Sequence, residues 1–182
     1  MKKIAMLALM ATGLIAGDGG LYIGMDIGDV KVNSTVTSGA NTYKGHVSDP
    51  AYTFKGGYYL NENNRVYAFY QYVNPEAATA SFAQYGAGYD YLIGDKVLKP
   101  FIGVFVGRVD SKVNNSTDNF DISGNLIGVQ AGLSYTINAN LSVEGGYRYF
   151  DYSNADGLES VDTVNVEADS AQNWYAGLNY KF

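Results

Sequence analysis

The sequence predicts an all-β fold: a transmembrane, eight-stranded, antiparallel up-and-down β-barrel. Three observations carry this. Eight segments alternate in polarity with a period of two, which puts alternate side chains on opposite faces of a strand. In every segment one face is free of charge, as a wall in contact with lipid requires. The connections alternate between short turns and longer polar stretches, with one short link as the exception; an even-stranded barrel with both termini at one end has that rhythm.

Composition agrees. The 182 residues include 17 Tyr and 22 Gly but only 3 Pro, and 16% are charged, against a usual quarter or so. Tyr and Gly at this level favour strands, turns and close interior packing over helices. A mean hydropathy of -0.12 is compatible with a membrane barrel, whose strands are only half apolar. The net charge of -6 argues against nucleic acid, which needs clustered Lys and Arg. There is no Cys and a single His, His46, so disulfides, thiolate chemistry and multi-His metal sites are excluded. No cofactor, metal or catalytic residue is expected.

Met1-Lys2-Lys3 precedes an apolar run from Ile4 to Ala16. That run is short for a membrane helix and fits a secretory signal. Residues 1–18 are read as a signal peptide, cleaved near 16–19, and residues 19–182 as the barrel domain.

The first strand, Leu21–Gly28, sets Leu21, Ile23, Met25 and Ile27 against Tyr22, Gly24, Asp26 and Gly28. A polar loop is expected over 33–49. The second, Ala51–Leu60, turns Tyr52, Phe54, Gly56, Tyr58 and Leu60 outward and Lys55 inward, and Asn61-Glu62-Asn63-Asn64 follows as a tight turn. The third, Arg65–Val73, has aromatics on both faces; Gln71 as an interior residue leaves Val66, Ala68, Tyr70 and Tyr72 outward. The fourth sends Ala83, Tyr85, Ala87, Tyr89 and Tyr91 out and Gln84, Gly86, Gly88 and Asp90 in. The fifth sends Ile102, Val104 and Val106 out and Phe101, Gly103, Phe105 and Gly107 in.

A second polar loop is expected over 110–123. The sixth strand is the clearest, with Ile127, Val129, Ala131, Leu133, Tyr135 and Ile137 on one side. The seventh shows Leu141, Val143, Gly145, Tyr147 and Tyr149 outward and Glu144 and Arg148 inward. After a loop over 151–171, Trp174, Ala176, Leu178, Tyr180 and Phe182 form the outward face of the closing strand. The same parity puts Asp29 and Arg108 outward, at the rim. Tyr58, Tyr85, Tyr91, Tyr135, Tyr147, Trp174, Tyr180 and Phe182 are the candidate interface aromatics.

Eight strands enclose a space just wide enough for side chains to fill. The expected interior charges are Asp26, Asp90 and Glu144 against Lys55, Arg148 and Lys181, balanced because a lone buried charge is costly. Asp26 and Lys55 lie on adjacent strands and can meet. Glu144 and Arg148 sit too far apart along one strand and need partners across the barrel. These charges are read as a packing plug, with a gated ion path as the rival.

Leu21-Tyr22-Ile23-Gly24-Met25-Asp26-Ile27-Gly28, the stretch from Leu133 to Tyr149 and the Phe182 ending resemble the small eight-stranded OmpA/OmpX-type outer-membrane barrels, which include opacity-like surface proteins. The resemblance spans the mature chain. It implies a cell outer membrane location, contact with outer-membrane lipid and lipopolysaccharide, and a closing strand read by the barrel-assembly machinery. It also implies paired interior charges at positions matching Asp26 and Glu144, where the best-known member carries basic residues; the signs here are reversed.

The expected function is an envelope-structural barrel with a surface-interaction or adhesion role. The final loop carries Asp156, Glu159, Asp162, Glu167 and Asp169, together with Asp151, and no Lys or Arg. A host or surface ligand at these loops is the expected partner. Val161, Thr163, Val164 and Val166 could lengthen the strands there and leave an edge for β-augmentation. The alternatives are a small-conductance channel and an outer-membrane lipid-modifying enzyme. A wide pore needs about sixteen strands, and a lone loop His46 lacks the partners that activate a nucleophile. A soluble lipocalin-like barrel would require the apolar faces to point inward.

Overall fold

In the computed structural model, residues 19–38, 41–73, 80–114, 119–152 and 164–182 are described. Eight strands make one closed antiparallel barrel: β1 (Gly20–Ser38), β2 (Asn41–Asn61), β3 (Asn64–Val73), β4 (Ala80–Leu92), β5 (Leu98–Asn114), β6 (Asn119–Thr136), β7 (Leu141–Asp151) and β8 (Val164–Lys181). Each strand pairs with its chain neighbours, and β8 closes on β1 from Tyr22↔Lys181 to Ser38↔Val164. The proposed signal segment lies outside the described residues.

The strands are strongly tilted. Followed once round the wall, the partners of Ile23 are Gly56, Ala68, Ala87, Val106, Ile127, Asp151 and Ser170, and the path returns to β1 at Asn33, ten residues further along. Such a stagger is what closing a sheet into a small barrel demands. Every rung therefore climbs from the short-turn end toward the long-hairpin end.

Side-chain alternation follows the outward faces. Leu21, Ile23, Met25 and Ile27 are about half exposed, as are Ile102, Val104 and Val106. On β3, Ala68, Tyr70 and Tyr72 are exposed while Arg65, Tyr67, Gln71 and Val73 are buried. Asn61 and Asn138 tie the short turns. The Asn61 Oδ1 accepts from the Asn63 amide at 2.9 Å, and the Asn138 Oδ1 from the Asn140 amide at 2.9 Å.

Two expectations fail. Within the described parts of 33–49 and 110–123 the chain is strand: β1 and β2 stay paired out to Ser38↔Asn41, and β5 and β6 out to Asn114↔Asn119. The closing strand likewise begins at Val164, inside the expected 151–171 loop. Above the membrane both faces of a hairpin meet water, so backbone pairing persists without the polarity contrast that marks a strand.

The abundance of Gly and Tyr has a packing cause. A Cβ at Gly88 would lie 2.3 Å from the Tyr67 ring, and one at Gly128 would lie 2.2 Å from the Phe105 ring and 2.6 Å from the Tyr149 carbonyl. Interior rings thus lie flat on glycines of neighbouring strands. Gly128→Val is expected to cost about 1–3 kcal/mol through overpacking, whereas Gly56→Val, where no heavy atom lies within 4 Å, should be near neutral. Urea unfolding in lipid vesicles checks this; equal midpoints for the two variants would contradict it.

Candidate functional site

The barrel interior is divided by polarity. Its short-turn half is a closed circuit of seven buried side chains, one or more from every strand but β5 and β8. Arg65 is fully buried. Its guanidinium donates to Asp90 through Nε at 2.8 Å and to Glu144 through Nη2 at 3.1 Å, with a closer Nη1 contact to Glu144. Glu144 also meets Lys55 Nζ at 3.3 Å, and Lys55 reaches Asp26 at 3.0 Å. Arg148 pairs with Asp26 through Nη2 and donates from Nε to Gln130 Oε1 at 2.8 Å. Gln130 Nε2 donates to Asp90 Oδ1 at 2.6 Å and closes the ring.

The circuit holds three acids and three bases. Arg65 was not among the expected interior charges; it opens β3 beside a polar turn, and only the inward parity of Gln71 signals it. Lys181 does not join the circuit. It lies at the short-turn mouth, its ammonium 5.5 Å from the Tyr59 ring. Buried charges are tolerated only when paired and hydrogen-bonded, and aromatic faces add to that here. The Arg148 guanidinium lies 3.7 Å from the Tyr175 ring centroid, and Arg65 lies 5.2 Å from that of Phe101.

The long-hairpin half is mainly apolar, although Gln84 is buried there and donates from Nε2 to the Tyr152 hydroxyl at 2.6 Å. Val30, Val73, Phe105, Val109, Leu126, Phe150 and Tyr152 form one buried cluster, with Phe69 packed against it. Phe105 is its centre, with ring centroids 5.7 Å from Phe69 and 5.1 Å from Phe150, both edge-on. Between the two halves the free volume is about 10 Å³, beside Thr53, Gln71 and Arg148, which is the space of a single water.

On the outer wall, Tyr85, Tyr147 and Trp174 lie toward the long-hairpin end, with the Tyr147 and Trp174 rings 4.8 Å apart. Tyr58, Tyr91, Tyr135, Tyr180 and Phe182 lie toward the short turns, with Tyr180 and Phe182 5.2 Å apart. Above the barrel, β7 ends at Asp151, which pairs with Ile127 on β6 and Ser170 on β8. Beyond it β6 keeps only β5, and β8 keeps only β1, as partners among the described residues. Glu167 and Asp169 lie on that stretch of β8; Asp156, Glu159 and Asp162 lie outside the described residues.

A family model for an outer membrane protein beta-barrel domain matches residues 4–182. A search of curated proteins finds no match. Among solved structures, Neisserial surface protein A aligns over 90% of this chain and 97% of its own, with a TM-score of 0.66 and 20% identity. The N-terminal barrel domain of Pseudomonas aeruginosa OprF covers 90% and 99%, with a TM-score of 0.59 and 14% identity. Ail of Yersinia pestis, in complex with the heparin analogue sucrose octasulfate, covers 90% and 99%, with a TM-score of 0.53 and 18% identity.

Proposed function

Because this chain belongs to the outer membrane protein β-barrel domain family, we propose that it is a sealed envelope barrel whose protruding hairpins engage a partner at the cell surface. Its place is the outer membrane, and residues 1–18 serve as the export address that is removed on the way. The observation that best supports a surface role is the uneven strand tops. Beyond Asp151, β6 and β8 each extend above the wall with one side unpaired among the described residues. Such an edge offers backbone N–H and C=O groups to an added strand.

The partner's charge follows from the sequence. Asp151, Asp156, Glu159, Asp162, Glu167 and Asp169 stand on the final crossing with no Lys or Arg among them. A sulfated ligand of the kind in the Ail structure would be repelled there, whereas a neutral or basic protein segment is accepted. The channel alternative is disfavoured by the apolar cluster around Phe105, which ions cannot cross without losing their hydration. Conversion of lipid by catalysis is not proposed, since His46, on β2 opposite Asn33, is the one His of the chain.

Cells displaying the protein with 33–49, 110–123 and 151–171 shortened one at a time should lose partner binding for at least one deletion, while the barrel keeps its heat-modifiable gel mobility. Unchanged binding for all three deletions would refute the surface role. Large, stable openings in a planar bilayer would refute the sealed interior.

A further inference from the structure

We propose that the lipid-facing wall carries a seat for one acylated, phosphate-bearing lipid, with its chain in an oblique groove over β2, β3 and β4 and its phosphate on Arg108. The proposal rests on the membrane-spanning family fold and is independent of the surface-partner reading.

The groove arises from a local change in side-chain height. Gly56, Ala68 and Ala87 are direct cross-strand neighbours on the outward face. The next rung toward the long hairpins is Phe54, Tyr70 and Tyr85, all projecting outward, and the next rung below holds Tyr58, Val66 and Tyr89. This small-residue floor lines an open recess of about 770 Å³ in the wall, with Tyr58, Val66 and Tyr89 along its lower side. Phe182 and Leu21 bound its lower end and Val106 its upper end. The position of a Gly56 Cβ has no heavy atom within 4 Å, so the recess opens to the bilayer. Because each rung climbs, it rises toward the long-hairpin end.

Arg108 stands two residues beyond Val106 on the same outward face, directly across from Tyr85. It is exposed and makes no ion pair with another described residue. A guanidinium facing lipid at the rim needs an anion, and phosphate matches its planar fork through two parallel bonds. One molecule with a hydrocarbon chain below and a phosphate above meets both demands. A second copy of the chain fits less well: its rim offers Arg108 the exposed Asp29, but its broad outward wall offers no single hydrocarbon chain to lie in the groove.

Native mass spectrometry of the folded barrel in detergent tests this with three probes: dimyristoylphosphatidic acid, dimyristoylglycerol and inorganic phosphate. One phosphatidic acid should be retained per barrel and neither other probe. Ala68→Leu with Ala87→Leu, or Arg108→Gln alone, should weaken retention about tenfold or more, and Ala131→Leu on the far wall should not. Equal retention by all variants would mean ordinary surrounding lipid and overturn the seat. Retention of dimyristoylglycerol would remove the phosphate, and retention of inorganic phosphate alone would remove the groove. A dimer abolished by the alanine substitutions would replace the lipid with a second copy. Loss of heat-modifiable mobility in the unmodified protein would instead fault the membrane-barrel premise, and loss of partner binding on shortening a hairpin would leave the seat untouched.

Discussion

Replacing Arg65 with Met is expected to cost about 3–5 kcal/mol of barrel stability, because it strands two buried carboxylates. Arg65 contributes two bonds to Asp90 and Glu144 each, and one to the Tyr59 hydroxyl at 3.2 Å. Lys55 is then the one cation among the described residues left at Glu144, and it is shared with Asp26. Combining Arg65→Met with Glu144→Leu restores neutrality, leaving Asp26 and Asp90 with Lys55 and Arg148. The double variant should regain at least half of the loss, since a well-packed apolar pair can replace a buried ion pair. The single Trp of the chain, Trp174, lies on the lipid face at 70% exposure and reports urea unfolding in vesicles. A double variant less stable than Arg65→Met would show that the circuit acts through packing and not through charge balance.

Phe105→Ala is expected to cost about 3–5 kcal/mol as a cavity in a ring-on-ring cluster. Its second effect is on permeability. With Phe150→Ala added, the apolar half loses both rings that face each other across 5.1 Å, and water gains a route down to Gln130 and Arg148. An ion leak should then appear in planar bilayers where the unmodified protein is silent. Lys55→Met, which alters only the charged half, should lower heat resistance and leave the bilayer silent. The reverse pattern, with leakage from Lys55→Met and none from the Phe variant, would make the charged circuit the barrier.

Much of this architecture is legible in the residues, and the parts that are not share a cause. Polarity alternation marks a strand only where its two faces meet different surroundings. From Leu126 to Thr136 one face meets lipid and the other a packed interior, so Ile127, Val129, Ala131 and Leu133 stand out cleanly. From Asn33 to Ser38 and from Asn41 to Asp49 no such contrast exists, and Ser, Thr and Asn read as loop although the backbone is paired. The circuit was partly legible because Asp26, Lys55, Asp90, Glu144 and Arg148 each carry an inward parity. Who meets whom was not, since the tilt of the rungs brings Arg65, near the foot of β3, level with Glu144 on the far side. Lys181 has the inward parity too, but at the short-turn foot of β8 it lies at the mouth, over the Tyr59 ring.

The seam between β1 and β8 has a kinetic consequence. Tyr22 pairs with Lys181 and Ser38 with Val164, so the barrel closes between the two ends of the chain. These are the contacts of greatest sequence separation, and contacts of that kind form late and slowly. Until β8 has been synthesised and exported, β1 has no second neighbour and its free side can pair with other chains. The nascent barrel is therefore an open sheet for most of its biogenesis, and whatever shepherds it must hold that one strand apart until the final one arrives.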